Sequence, residues 1–313
     1  MRRGARVTRD RGYWLRLWRL TATALGATLL LMLVAMPAIF GALGMWSLTH
    51  TPCADTGLTP ANYGREYEDV TISSGEAGGA HRGFYIPSRN GAHVIFPPAF
   101  GGGRDGRLAE ANVLIERGYG VLTFESRSCM GRVNTLGYRE VDDVAGALDW
   151  LLARPDVDAA RIGVHGFSSA GATAIMAAAR RPELRAVVAE GGYHDLGRGS
   201  IGEGGNIVET IARITAKMTY RLATGVDVSA VSPVSVIGQI APRPILLIYG
   251  TDEVSLPGAR EQLAAAGGNA QLWEVPRAWH GGYLAVAPAE YAQRVVAFFD
   301  AALLGEGAAA EAR

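Results

Sequence analysis

The sequence predicts an α/β fold: a mostly parallel central sheet with helices on both faces, preceded by one membrane-spanning helix. Three observations carry that expectation. From about residue 67 onward, short apolar runs alternate with helix-period segments, the pattern of a parallel sheet covered on both sides. One such run, Arg161 to His165, leads into Gly166-Phe167-Ser168-Ser169-Ala170-Gly171 and then the small-residue stretch Ala172 to Ala179. That reads as buried strand, very tight turn, helix, with a serine held at the strand's carboxyl end. Finally, Leu20 to Trp46 contains no charged side chain and is long enough to cross a bilayer.

Charge orients the span. Residues 1–19 hold seven arginines (2, 3, 6, 9, 11, 16 and 19) and Asp10, a net +6; since the whole chain is neutral, the part after residue 46 is −6. Positive charge stays on the cytoplasmic side. The expected order is therefore a basic cytoplasmic arm (1–19), a transmembrane signal-anchor helix in contact with lipid (20–46) and a neck (47–66). An extracytoplasmic body (67–304) and a frayed tail (305–313) follow. Trp14, Trp18 and Trp46 suit the two interfaces. A cleaved signal peptide would have a shorter apolar core and an A-x-A site. A mildly acidic body gives no reason to expect nucleic acid. No CxxC, HExxH or histidine cluster calls for a metal. Cys53 and Cys129 are the two cysteines; outside the cell they can pair, and two free thiols fit the sequence equally well.

Within the body, Tyr67 to Ile72 alternates like an edge strand, with Gly83 to Ile86 as its partner. Ala92 to Phe96 is a continuous apolar strand. Leu108 to Arg117 has helical spacing and stops at Gly118. Gly120 to Phe124 is the next buried strand, and Val141 to Leu152 an amphipathic helix ended by Arg154-Pro155. After the Ser168 turn come strands Ala186 to Glu190, Ile245 to Tyr249 and Gln271 to Val275, a helix between the last two, and a final helix over Ala287 to Leu304. Residues 193–240 break the rhythm. They read as a cap-like insertion, helical over Ile207 to Leu222, above the carboxyl edge where such sheets bind ligands.

A serine hydroxyl needs a base to take its proton, and the base works best when a carboxylate orients it. Of six histidines, only His280 lies in a late loop, after a strand and before the last helix. Asp252 and Glu253 both leave the preceding strand. The chain order is Ser168, acid, His280, as in α/β-hydrolases.

At these residues the chain resembles the α/β-hydrolase superfamily, specifically its dienelactone-hydrolase and serine-peptidase (prolyl-oligopeptidase-type) members, from about Val94 to Phe299. The matching pieces are Phe100 to Gly106, Phe124 to Arg127, Arg161 to Ser168, Pro242 to Gly250 and His280 to Tyr283. The resemblance implies an α/β-hydrolase fold and a serine hydrolase of esterase or peptidase type that uses no cofactor. The family's G-x-x-D-x-x-V-P pattern, laid from Gly250 to Pro257, puts Glu253 in the acid slot and keeps Asp252 in reserve. It also assigns the Phe100 and Ser169 N–H groups to the oxyanion hole, although Pro98-Ala99 stands where the family has His-Gly. Tyr193, Trp279 and Arg127 are candidates for binding a small ester or peptide substrate.

Two other readings compete. Gly101 to Gly106 fits G-x-G-x-x-G with Glu125 about twenty residues on, as in a nicotinamide-dependent oxidoreductase. That turn should follow its strand closely, and Pro97 to Phe100 intervene. The departures at Pro98, Ala99, Ala170 and Glu253 also suit a non-catalytic binding or scaffold domain on the same fold.

Overall fold

The computed structural model describes residues 11–74, 79–198 and 206–305. The arginines before residue 11, the tail from 306 and part of the insertion (199–205) lie outside them. Eight strands form one sheet: β1 (Glu68–Ser73), β2 (Ala80–Ile86), β3 (His93–Phe96), β4 (Gly120–Phe124), β5 (Ile162–Phe167), β6 (Leu184–Glu190), β7 (Ile245–Gly250) and β8 (Ala270–Val275). Their spatial order is β1-β2-β4-β3-β5-β6-β7-β8. The β1–β2 and β2–β4 pairs are antiparallel and the remaining pairs parallel. β5, which carries the serine turn, therefore sits between β3 and β6 with both edges paired.

The period-2 alternation of strand side chains splits the core into two layers. On one face Val187, Ala189, Ile245 and Leu247 meet helices α3 (Glu140–Leu152) and α4 (Ser169–Arg180). On the other, Ala186, Val188, Leu246 and Ile248 meet α2 (Leu108–Glu116) and the late helix α9 (Pro288–Phe299). Helix α4 is buried from Ser169 to Ala178, so its run of alanines is a steric requirement of lying against the sheet.

The amino-terminal helix α1 runs from Arg11 to Thr49. It extends past the uncharged segment at both ends and takes in half of the basic arm. Its mean hydropathy reaches 2.1, and Leu25, Leu29, Leu30, Leu31 and Leu33 are all exposed. Moving a leucine side chain from water into hydrocarbon is worth roughly 1.5–3 kcal/mol, so this surface fits lipid. The last turns of α1 instead pack along α5 (Ile207–Thr224). A Cβ on Gly41 would come within 2.0 Å of the Ala212 carbonyl oxygen, so the two backbones touch there. α5 begins with a capping box between Asn206 and Glu209 and ends at Gly225 in the left-handed region. Short helices α6 (Pro233–Val236) and α8 (Tyr283–Val286) and helix α7 (Leu256–Ala265) complete the body.

The neck is stapled to the body. Cys53 and Cys129 form a disulfide, which resolves the two possibilities the sequence left open. Ala54 N–H donates to the Gly101 carbonyl (2.7 Å), and Thr56 N–H to an Asp105 carboxylate oxygen (2.7 Å). These contacts hold the loop after β3, the one that bears Phe100.

Candidate active site

Ser168 sits between β5 and α4 with φ 55° and ψ −124°, a strained conformation for a residue with a Cβ. The turn closes because Gly166 has no side chain. A Cβ there would lie 2.1 Å from the Ala170 carbonyl oxygen. The backbone is pinned by Ser168 N–H donating to the Glu190 carbonyl (2.7 Å) and Gly171 N–H to the Ser168 carbonyl (2.9 Å). Ala170, where the usual motif has glycine, is simply buried.

His280 reaches this turn from the loop after β8. Its Nε2 lies 3.0 Å from Ser168 Oγ, and its Nδ1 lies 2.9 Å from Glu253 Oε2. Glu253 Oε1 accepts from Gly250 N–H (2.6 Å) and from the Tyr283 hydroxyl (2.6 Å), and Oε2 accepts from Ser255 Oγ (3.0 Å). Burial by itself would raise the Glu253 pKa, but the hydrogen bonds from His280, Tyr283 and Gly250 outweigh it and hold the carboxyl below its ordinary range. Tyr283 is pushed the other way, first by burial and then by Glu253. The Phe167 ring lies against the imidazole, centroids 4.7 Å apart, and the Arg107 guanidinium caps the ring at 4.4 Å from its centroid.

Phe100 N–H is beside the elbow as expected, but it donates to Ser169 Oγ (2.9 Å). An incoming oxyanion would therefore share this donor with the hydroxyl or displace it.

A cavity of about 730 Å³ opens over Ser168 and His280. Tyr193 lines it, with its hydroxyl directed to the Leu136 carbonyl. Asp252 also lines it but touches Thr251 Oγ1 (3.3 Å) and not the imidazole. The far wall consists of Phe40, Gly44, Met45 and Leu48 of α1 with Ala212, Arg213, Ala216 and Lys217 of α5.

Residues 38–226 match the family described as X-Pro dipeptidyl-peptidase (S15 family). The chain belongs to that family. This S15-family chain also superposes on the Pyrococcus furiosus esterase Pf2001, with a TM-score of 0.65 and 23% identity, over 82% of this chain and 98% of the esterase. For dienelactone hydrolase from Anabaena variabilis the TM-score is 0.56 at 21% identity, over 76% of this chain and 98% of that one. At such identities the likeness establishes the α/β-hydrolase fold. No curated protein matches the sequence.

Two expectations need correction, and one rival reading falls with them. Arg127 does not face the cavity: its side chain is 1% exposed, and its guanidinium is engaged by Asp143 at 2.6 and 2.8 Å. A charge that deep requires its partner, so it is held in the interior. Trp279 is 59% exposed and lies over Gly282, outside the cavity lining. The Gly101 to Gly106 stretch is no dinucleotide turn. The neck occupies the space above it, with Thr51 within 2.5 Å of a Cβ on Gly101 and Asp55 within 2.8 Å of one on Gly103. Glu125, the ribose ligand of that rival reading, is held by Arg82 at 2.7 Å.

Sequence reasoning missed Tyr283 and Ser255 as hydrogen-bond partners of Glu253. It also missed the contribution of α1 to the cavity. Tyr283 carried a signal, its place three residues after His280; the contact between α1 and α5 carried none.

Proposed function

We propose that this chain is a membrane-anchored serine hydrolase that cleaves an ester or amide bond through an acyl-enzyme intermediate. One observation carries the reading: Ser168 Oγ, both ring nitrogens of His280 and Glu253 Oε2 form a continuous relay with steps of 3.0 and 2.9 Å. In this reading His280 Nε2 takes the Ser168 proton as Oγ attacks the carbonyl carbon. Glu253 holds the proton on Nδ1 and stabilises the imidazolium that forms. The N–H groups of Ser169 and Phe100 take the developing oxyanion, with Ser169 Oγ–H available beside them. His280 then protonates the leaving group. Water, deprotonated in turn by His280, releases the acid and regenerates Ser168.

The placement outside the cytoplasm rests on the arginine arm ahead of α1 and on the Cys53–Cys129 disulfide, which persists in an oxidising compartment. On this reading the chain divides into arm (1–19), span (20–46), neck (47–66) and hydrolase body (67–304). A fluorophosphonate probe should label the full-length protein in detergent, and Ser168→Ala should abolish labelling. A folded wild-type protein that takes no label would refute the hydrolase reading and favour a binding domain. Protease added to sealed cells should digest the body; protection would reverse the topology.

A further inference from the structure

We propose that the substrate is a membrane-resident acyl ester whose chain reaches Ser168 through the channel between α1 and α5. The inference rests on the hydrolase reading above and names its substrate class. The cavity over Ser168 is walled by the same helix that fits the bilayer. At about 1.5 Å per residue, roughly 20 residues span the hydrocarbon core. Of the span 20–46, Leu20 to about Ile39 would therefore fill the hydrocarbon core, and the cavity residues from Phe40 to Leu48 would lie at headgroup level.

The second wall points the same way. Ile207, Ile214, Met218 and Leu222 of α5 are 70, 52, 60 and 84% exposed and recur at helical spacing. An apolar stripe facing water is a liability, whereas on a helix lying at a bilayer surface it is buried in the headgroup and acyl boundary. Lys217, exposed on the same helix, lines the cavity, and its long side chain can carry the charge toward a lipid headgroup. Val254, 78% exposed, adds an apolar residue at the cavity rim. Small residues shape this wall of the cavity. Gly41 brings the helices into contact, while a Cβ on Gly44 would meet nothing within 4 Å. Phe40, Met45, Leu48, Val228 and Val254 give a lipid chain apolar surface to lie on in the cavity that holds the nucleophile.

The test uses the full chain reconstituted in phosphatidylcholine vesicles. Its probes are p-nitrophenyl palmitate dissolved in the bilayer and p-nitrophenyl acetate in water. Gly44→Phe projects a ring into the open channel, and we expect it to lower the palmitate-to-acetate ratio of kcat/KM at least tenfold. Gly44→Leu should give a smaller drop in the same direction, and melting profiles establish that each variant is folded. Leu43→Phe, on the lipid-facing side of the same turn, should leave the ratio unchanged. A Gly44→Phe shift under twofold, or an equal shift from Leu43→Phe, overturns the channel. So does a wild-type chain that labels with fluorophosphonate and cleaves acetate but not bilayer palmitate. A wild-type chain that neither labels nor cleaves either ester overturns the hydrolase reading, and the channel proposal falls with it.

Discussion

Replacing Glu253 by glutamine tests the relay at its least redundant point. The side chains are nearly isosteric, so the fold should survive, but the hydrogen bonds cannot all be kept. Glu253 Oε1 accepts from the Gly250 backbone N–H at 2.6 Å, a donor that cannot reverse its role. A glutamine must therefore turn its oxygen toward Gly250 and its NH₂ toward His280 Nδ1. That group donates, so Nδ1 must accept and the ring proton moves to Nε2, the nitrogen facing Ser168. The imidazole can then no longer take the hydroxyl proton. The equivalent carboxylate-to-amide change in a serine-protease triad lowers kcat about ten-thousand-fold through the wrong tautomer. For Glu253→Gln we expect a loss of about 10³–10⁴ in kcat on a p-nitrophenyl ester, or about 4–5 kcal/mol of barrier. Asp252→Asn keeps an Oδ1 that can accept from Thr251 Oγ1 (3.3 Å) and removes only a charge that does not touch the imidazole, so kcat should stay within about threefold. A Glu253→Gln enzyme retaining a tenth of wild-type kcat, or an Asp252→Asn enzyme falling a hundredfold, would refute this account and pass the role to Asp252.

Other measurements probe the scaffold. The Cys53–Cys129 bond closes a separation of 76 residues, and a cross-link of that span restricts the unfolded chain by roughly 4 kcal/mol. Cys53→Ser should lower the denaturation midpoint in detergent accordingly, and equal midpoints with and without reductant would remove the effect. Arg127→Ala leaves Asp143 buried beside His81 (3.1 Å) without its guanidinium and should cost about 3–5 kcal/mol of stability; a raised KM with unchanged stability would return Arg127 to the substrate. Burial lowers the His93 pKa from 6.5 to about 4. Between those values the unfolded chain binds the proton and the folded one does not. Stability is therefore lost as pH falls from 6.5 toward 4, by up to about 3 kcal/mol. His93→Gln should flatten that limb of an unfolding-versus-pH curve, and an unchanged limb would assign it to other groups.

Much of the fold was legible because its signals are local. Apolar runs such as Gly120 to Phe124 lie on both-face-buried strands, and burial on both faces leaves no polar alternation to misread. The glycines and alanines from Gly166 to Ala179 announce a turn crowded against a helix, and that crowding is a short-range steric fact. The order of Ser168, Glu253 and His280 made a serine hydrolase the leading expectation over two rival readings. Several matters needed long-range packing. The family pattern favoured Glu253 with Asp252 in reserve, and it is the 2.9 Å contact of Glu253 with His280 Nδ1, made across 27 residues, that separates two carboxylates adjacent along the chain. The burial of Arg127 depended on Asp143, sixteen residues away. The neck lying on Gly101 and Gly103 turned an apparent nucleotide motif into a packing device. By itself the sequence determined an apolar basic-flanked helix, a parallel sheet and a serine elbow, because periodicity, charge and residue size act on neighbours. Only the tertiary structure decided that α1 and α5 would wall the cavity over that serine, because helix–helix contact arises from side-chain shape and has no signature in the spacing of either segment.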